Sequence, residues 1–73
     1  MNPDVLRGRW NQIKGEIRSR FGKLTDDDMA QIQGEAEKLI GKVQERYGYK
    51  REQAEKEINN FLNSLPAQPR RTA

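Results

Sequence analysis

The chain has 73 residues, a net charge of +3 at neutral pH, and neither cysteine nor histidine. This inventory excludes disulfides and thiolate chemistry, and it removes the side chain that most often transfers protons near neutral pH. Nor do the hydroxyl-bearing side chains allow a nucleophile, a base and an orienting group to be assembled in their usual forms. We therefore expect one small domain that is not an enzyme and holds no cofactor or metal.

Hydrophobic residues make up 33% of the chain and charged residues 34%, which is polar for a folded protein. The apolar residues are nevertheless periodic and the net charge is small, so the pattern favours folding over disorder. No apolar run approaches the roughly 20 residues that cross a bilayer, and residues 1–9 show no apolar stretch typical of a signal peptide. We expect a cytoplasmic protein, since a reducing compartment also suits a chain without cysteine.

The first predicted helix begins after Pro3 and ends at Gly22, which is well placed to cap it in the left-handed region. Trp10 belongs to its apolar stripe, so we assign this side chain to the core and not to stacking on a nucleic-acid base. The stripe recurs every three or four residues and consists of Leu6, Trp10, Ile13, Ile17 and Phe21.

A second helix is predicted to start at Thr25, a strong N-cap. Asp26, Asp27 and Asp28 follow in its first turn, where carboxylates offset the positive end of the helix dipole. Asp28 also occupies the acidic place of a capping box. We favour this role over a cation site, because the three aspartates lack the spaced ligands and the glycine of a calcium loop.

Apolar residues continue at helical spacing up to Tyr47, and Gly48 ends the pattern. Gly34 lies inside this stretch, but a glycine costs a helix only about 1 kcal/mol. Residues 26–47 are therefore either one helix or two, and we favour a break near Gly34. The last helix stops at Pro66, and its apolar residues are Ala54, Ile58, Phe61, Leu62 and Leu65.

An internal repeat pairs residues 6–22 with residues 32–48. The apolar stripe and every glycine of the segment match, including Gly22 on Gly48. This pattern predicts two helix–turn–helix units of the same design that share one core. At the inner glycines we favour close helix packing over the approach of a ligand: Gly8, Gly15, Gly34 and Gly41.

Four segments carry a family resemblance: residues 10–15 (WNQIKG), 21–28 (FGKLTDDD), 41–49 (GKVQERYGY) and 53–57 (QAEKE). Together they resemble the CsbD-like family of small bacterial proteins. The resemblance implies a four-helix fold of two crossed helical hairpins with a SAM-domain-like architecture. It also implies expression under general stress and no established molecular activity, and it supplies no catalytic residues.

We therefore predict an all-α domain of four short helices over residues 1–65, followed by a disordered basic tail over residues 66–73. Charge is unevenly spread along it, with net values of +4 for residues 1–25, −5 for residues 26–37 and +4 for residues 38–73. The basic surface of the first helix is suited to phosphates, and the candidate contacts are Arg7, Arg9, Lys14, Arg18 and Arg20.

Two functional hypotheses follow from these patterns. The first is a non-enzymatic protein of the general stress response that acts as an interaction module or a protectant, with a protein partner still to be named. The alternative is weak, sequence-nonspecific nucleic-acid binding, which falls steeply with salt. For the charged surface we favour ordinary solvated faces paired with the acidic segment, because no helix is basic throughout. The oligomeric state stays open.

Overall fold

The computed structural model describes residues 3–65, and within them the chain forms five helices and no strand. The predicted all-α class is therefore confirmed, and four of the helices have seven residues or more. The predicted basic tail lies outside the described residues. The helices are α1 (Pro3–Gly8), α2 (Trp10–Arg20), α3 (Asp26–Ile32), α4 (Ala36–Tyr47) and α5 (Arg51–Ser64).

The first predicted helix is divided in two at Arg9. The backbone of Arg9 leaves helical geometry, with φ −113° and ψ 14°. Its carbonyl oxygen accepts hydrogen bonds from the N–H groups of Gln12 and Ile13, both at 2.9 Å, and so starts α2. Gly8 immediately before it is among the weakest helix formers, which favours a break at this point.

The prediction that Gly22 caps the first long helix in the left-handed region is wrong. The capping residue is Phe21, whose N–H donates to the carbonyl of Ile17 at 2.7 Å. Phe21 and Leu24 are both buried, so the chain must leave the helix early to place these side chains in the core. Leu24 therefore belongs to the core.

The predicted break near Gly34 is confirmed. Gln33 ends α3 in the left-handed region at φ 45°, and Gly34 follows with φ 82°. A Cβ atom on Gly34 would lie 3.3 Å from the Cα atom of Arg7 and 3.2 Å from the Cβ atom of Trp10. Two left-handed residues in succession turn the chain, and only glycine allows α1 and α2 to approach this closely.

The core is drawn from all five helices, and α4 packs against α1, α3 and α5. Most of the predicted apolar stripe is buried, while Trp10, Met29, Ala36, Tyr47, Leu62 and Leu65 lie partly buried against its edge. The buried apolar residues are Leu6, Ile13, Ile17, Phe21, Leu24, Ile32, Leu39, Ile40, Val43, Ala54, Ile58 and Phe61.

An aromatic cluster closes one end of this core. The ring of Phe21 meets Tyr47 and Phe61 edge-on, at centroid distances of 6.1 and 6.0 Å. Tyr49 stacks on Tyr47 at 5.4 Å, and the hydroxyl oxygen of Tyr47 accepts a hydrogen bond from the backbone N–H of Lys23 at 3.2 Å. The predicted packing roles of Phe21, Tyr47 and Phe61 are confirmed.

The repeat and the crossed-hairpin, SAM-domain-like architecture stay predictions. Close packing at the matched glycines holds only at Gly34, because a Cβ atom on Gly8, Gly15 or Gly41 would meet no atom within 4 Å. Gly48 ends α4, as predicted, and adopts the left-handed region at φ 72°. None of the helices in residues 3–65 has the length and apolarity needed to cross a membrane.

Candidate functional site

The candidate phosphate contacts have different surroundings in the folded chain. Arg18 makes an ion pair with Asp26, and Arg20 makes one with Glu57 at 3.2 Å. Arg9 makes a long hydrogen bond of 3.5 Å to a neighbouring glutamine on α2. Two of the candidate cations thus already face carboxylates, which weakens their attraction for a phosphate.

Lys14 and Arg18 line one groove, whereas Arg7 lines a separate hollow on the other side of the break at Arg9. Lys14 has no ion-pair partner among residues 3–65. The structure therefore brings together only two of the candidate cations, and their role as phosphate contacts stays a prediction.

The groove lies between α2 and α3 and has a volume of about 650 Å³. We call it the α2–α3 groove. Helix α2 forms one wall, and α3 with its capping residue forms the other. Apolar and basic side chains alternate around it, and the residues that define its character are Trp10, Lys14, Gly15, Arg18, Met29 and Ala30.

Trp10 lies between the core and the α2–α3 groove. The side chain is half-buried, packs against the core, and touches Gly34 where α3 ends. The same residue lines the groove, as do the half-buried Met29 and the exposed Ala30. The sequence assigned Trp10 to the core alone. Its spacing identifies the inward face of α2, but nothing in that spacing says that the neighbouring helix leaves part of the ring uncovered.

At Gly15 the α2 wall of the groove carries no side chain. It is exposed in the middle of α2, and a Cβ atom placed on it would have no neighbour within 4 Å. Glycine in a helix interior lowers helix stability by about 1 kcal/mol relative to alanine. No packing contact in the described structure compensates this cost, and the consequence of the glycine is an open groove.

Arg18 and Asp26 form the ion pair at one end of the groove. The side chain of Asp26 is 96% exposed and that of Arg18 is 40% exposed, so their pairing contributes little to stability. The Arg18 Nε atom is buried and donates to no acceptor among the described residues.

The hollow lined by Arg7 differs from the α2–α3 groove because acidic side chains in it pair with a basic side chain of the same hollow. Arg51 donates two hydrogen bonds to Glu37, at 2.9 and 2.8 Å, and a third to Glu55 at 2.9 Å. This pairing with Arg51 lowers the pKa of Glu37. The hollow has a volume of about 440 Å³ and also contains Glu35. Its polar groups largely face one another, so it is a weaker candidate site.

A buried ion pair joins α3 to α4. Asp28 is 1% exposed, and Arg46 donates to both of its carboxylate oxygens, at 2.8 and 3.0 Å. The backbone N–H of Thr25 donates to Asp28 at 3.0 Å, while the Thr25 hydroxyl accepts from the Asp28 N–H at 3.1 Å, which completes the predicted capping box. The Nζ atom of Lys42 lies 3.5 Å from the same carboxylate.

The pKa of Asp28 lies far below its ordinary value, chiefly because of the hydrogen bonds from Arg46 and then of the one from Thr25. We call Asp28, Thr25 and Arg46 the α3–α4 clasp. Since the carboxylate is enclosed, the clasp is structural and does not face a ligand. Among residues 3–65, no group of three or more acidic side chains is arranged to hold a metal ion.

Comparison with known proteins identifies the chain's relatives. The model of a family described as CsbD-like matches residues 4–56. The UPF0337 protein PA4738 of Pseudomonas aeruginosa is 51% identical over 65 residues, which cover 89% of this chain and all of the relative. The UPF0337 protein YjbJ of Escherichia coli K12 is 55% identical over 58 residues, covering 80% of this chain and 84% of the relative.

A third relative, the UPF0337 protein ECA0631 of Pectobacterium atrosepticum, is 49% identical over 61 residues, which cover 84% of this chain and 88% of the relative. The family match over residues 4–56 spans both walls of the α2–α3 groove and the α3–α4 clasp. None of their names states a ligand, a partner or a reaction.

Proposed function

Because the chain belongs to the CsbD-like family, we propose that it is a non-enzymatic protein of the general stress response that acts by binding other proteins. The family supports the stress role. The binding role is supported by the α2–α3 groove, where Trp10 and Met29 remain partly uncovered beside Lys14 and Arg18. We place this function in the cytoplasm, since a chain without cysteine needs no oxidising compartment to fold.

The single observation that carries the proposal is the α2–α3 groove, where Trp10 and Met29 are partly uncovered beside two basic side chains. A concave surface that combines apolar side chains with a few charged groups is the usual form of a binding site. Conversely, Arg18 and Arg20 are already paired with carboxylates. A nucleic-acid backbone therefore finds fewer free cations than the sequence suggested, which makes nucleic-acid binding the weaker of the two functions.

In-cell photo-crosslinking tests this proposal. A photoreactive amino acid would replace Asn11 at the α2–α3 groove, and separate variants would carry it at Asn60 on the exposed side of α5 and at Gly41 on α4. Crosslinked material from stressed and unstressed bacteria would be analysed by mass spectrometry. We expect discrete protein partners whose yield rises under stress.

A protection assay complements the crosslinking, since a protectant acts without a fixed partner. The purified chain would be added to a client enzyme during heating or drying, and the recovered client activity measured. Absence of both crosslinked proteins and client protection would sink the proposal. Crosslinks to RNA or DNA alone would favour the nucleic-acid alternative instead.

A further inference from the structure

We propose that the α2–α3 groove binds an apolar segment of a partner protein that carries one or two carboxylates. This inference rests on the proposed function and names the surface and the chemistry of the partner. The groove has an apolar floor, basic side chains at its rim, and a glycine in place of a side chain on its α2 wall.

The floor of the groove offers apolar contact. Trp10 and Met29 are half-buried and Ala30 is exposed, so each presents part of its surface to an occupant. Tryptophan and methionine are frequent anchors in recognition surfaces, because the first buries a large area and the second adapts to irregular shapes. A segment that inserts an apolar side chain here removes this surface from water.

Gly15 determines what can enter. Because no atom lies within 4 Å of the place where a Cβ atom would stand, the space above this helix turn is free. The backbone of α2 is accessible there, and a segment can approach it closely. Any larger side chain at this position would project into the groove without disturbing the core.

The rim supplies the charge selectivity. Lys14 forms no ion pair with a carboxylate of the described residues, and Arg18 pairs with the exposed Asp26. A partner carboxylate can therefore pair with Lys14 directly. A second one would compete with Asp26 for Arg18, as a phosphate would.

Charge also argues for a peptide over a nucleic acid in this groove. A nucleic-acid strand brings a phosphate with every nucleotide and requires a run of cations to follow it. The groove offers two cations, and Asp26 and Asp27 project from the same end of α3 and repel further phosphates. One or two carboxylates on an apolar segment match this arrangement better.

Another protein fits the groove better than a second copy of this chain does. The larger apolar side chains of α2 to α5 all pack in the core or against it. A second copy would therefore have to pull one of these side chains away from its own core in order to insert it. Self-association through the groove nevertheless gives a distinct result in the experiment below.

The test begins with selection from a random peptide display library on the purified full chain. We expect enriched peptides with an aromatic or aliphatic residue close to Asp or Glu. Gly15→Leu fills the groove and should abolish the enrichment. Its matched control is Gly41→Leu on α4, where a side chain also meets open space but no groove is affected.

Binding of one enriched peptide is then measured through the fluorescence of Trp10, the single tryptophan of the chain. Lys14→Glu should weaken the peptide about tenfold, since it removes one rim charge and opposes the carboxylate. Lys56→Glu makes the same change of charge on α5, away from the groove, and should leave affinity unchanged. Circular dichroism of every variant reports whether it is folded.

Each outcome decides the proposal. Enrichment of acidic, apolar peptides that depends on Gly15 and Lys14 supports it. Neutral or basic peptides, or binding that ignores both substitutions, overturn it. Displacement of the peptide by single-stranded DNA, or a dimer in sedimentation that Gly15→Leu dissolves, assigns the groove to another occupant. Crosslinked partners at Asn60 and none at Asn11 would leave the proposed function standing while removing this inference.

Discussion

The carboxylate of Asp28 is buried within a small helical domain and is stabilised there by its hydrogen-bond partners. Burying an unpaired charge costs several kcal/mol, so its compensation must be nearly complete. Arg46 provides two charge-assisted hydrogen bonds and Thr25 a third. Both helix dipoles add to this, because Asp28 lies in the first turn of α3 and Arg46 in the last turn of α4.

Replacing Arg46 by alanine should lower the free energy of unfolding by about 3 kcal/mol, since the enclosed carboxylate loses its main partner. Arg46→Lys keeps the charge but not the two-pronged geometry, and should lose about half as much. Urea unfolding followed by circular dichroism at neutral pH measures both changes.

Arg20→Ala serves as the control, because its ion pair with Glu57 lies nearer the surface and should contribute about 1 kcal/mol or less. If Arg46→Ala and Arg20→Ala proved equally mild, the α3–α4 clasp would not have the stabilising role assigned to it.

The α3–α4 clasp also predicts a pH dependence. The pKa of Asp28 is depressed in the folded chain relative to its ordinary value of 3.8. Its stabilising effect is therefore complete above that value and declines as the pH falls below it, when the unfolded chain takes up the proton more readily than the folded one. The advantage of the native chain over Asp28→Asn should be constant near neutral pH and shrink below about pH 4.

Unfolding curves of both proteins over a series of pH values measure this difference. Asp27→Asn provides the control, since Asp27 is exposed one residue earlier on the same helix. An advantage of the native chain over Asp28→Asn that stayed constant down to strongly acidic pH would contradict the linkage.

At the scale of elements, the turn between α3 and α4 depends on a glycine with two constraints. Gly34 has φ 82°, and a Cβ atom at this position would lie within 3.3 Å of both Trp10 and the backbone of Arg7. Gly34→Ala should therefore destabilise the chain by about 2 kcal/mol or more, because alanine is strained at that φ and also crowded. For a domain of this size each kcal/mol lowers the Tm by roughly 4–8 °C.

Gly41→Ala is expected to have the opposite effect on stability. Gly41 lies in the interior of α4 with open space beside it, so alanine should stabilise the chain by up to about 1 kcal/mol. Thermal unfolding of the two variants measures both signs. A loss of Tm in Gly41→Ala as large as that in Gly34→Ala would contradict the structural distinction between them.

Gly22 and Gly48 illustrate what sequence patterns predict about element ends. Each follows an aromatic residue at the predicted end of a helix, and the repeat pairs the two glycines, but the left-handed cap was predicted for Gly22 alone. Gly48 adopts it, and Gly22 does not. Phe21 is 2% exposed whereas Tyr47 is half-buried, so burial of the first ring decided the local backbone. Tertiary packing overrides capping preference when the two disagree.

The candidate site was less predictable for a related reason. The capping box of Thr25 and Asp28 is local and could be recognised from three-residue spacing. Arg46 lies 18 residues further on, and no periodicity connects it to Asp28. Likewise, the sequence shows the residues of the α2–α3 groove only as an apolar stripe with basic neighbours. Whether the two helices leave Trp10 partly uncovered depends on how they pack, which no sequence pattern shows.

At the scale of the whole molecule, uneven charge along the sequence becomes local pairing in space. The acidic segment supplies Asp26 to Arg18 and Asp28 to Arg46. The preferred interpretation of the basic faces, as surfaces partly paired with the acidic segment, is supported by these contacts. Lys14 forms no ion pair with a carboxylate of the described residues.

The shared core predicts that the chain unfolds as one cooperative unit. Trp10 packs against this core at the α2 side, and all five helices contribute to it. Urea transitions followed by Trp10 fluorescence and by far-UV circular dichroism should therefore coincide. An earlier fluorescence transition would indicate that α1 and α2 separate from the remaining helices before those unfold.

The position of the α3–α4 clasp has a consequence for the order in which the chain folds. The clasp ties the first turn of α3 to the last turn of α4, at the end opposite their connecting turn. A hairpin closed at both ends by contacts within one short stretch of sequence can form before distant segments arrive. Amide hydrogens of the seven-residue α3 should accordingly exchange with solvent as slowly as those of α4, and hydrogen-exchange NMR measures this.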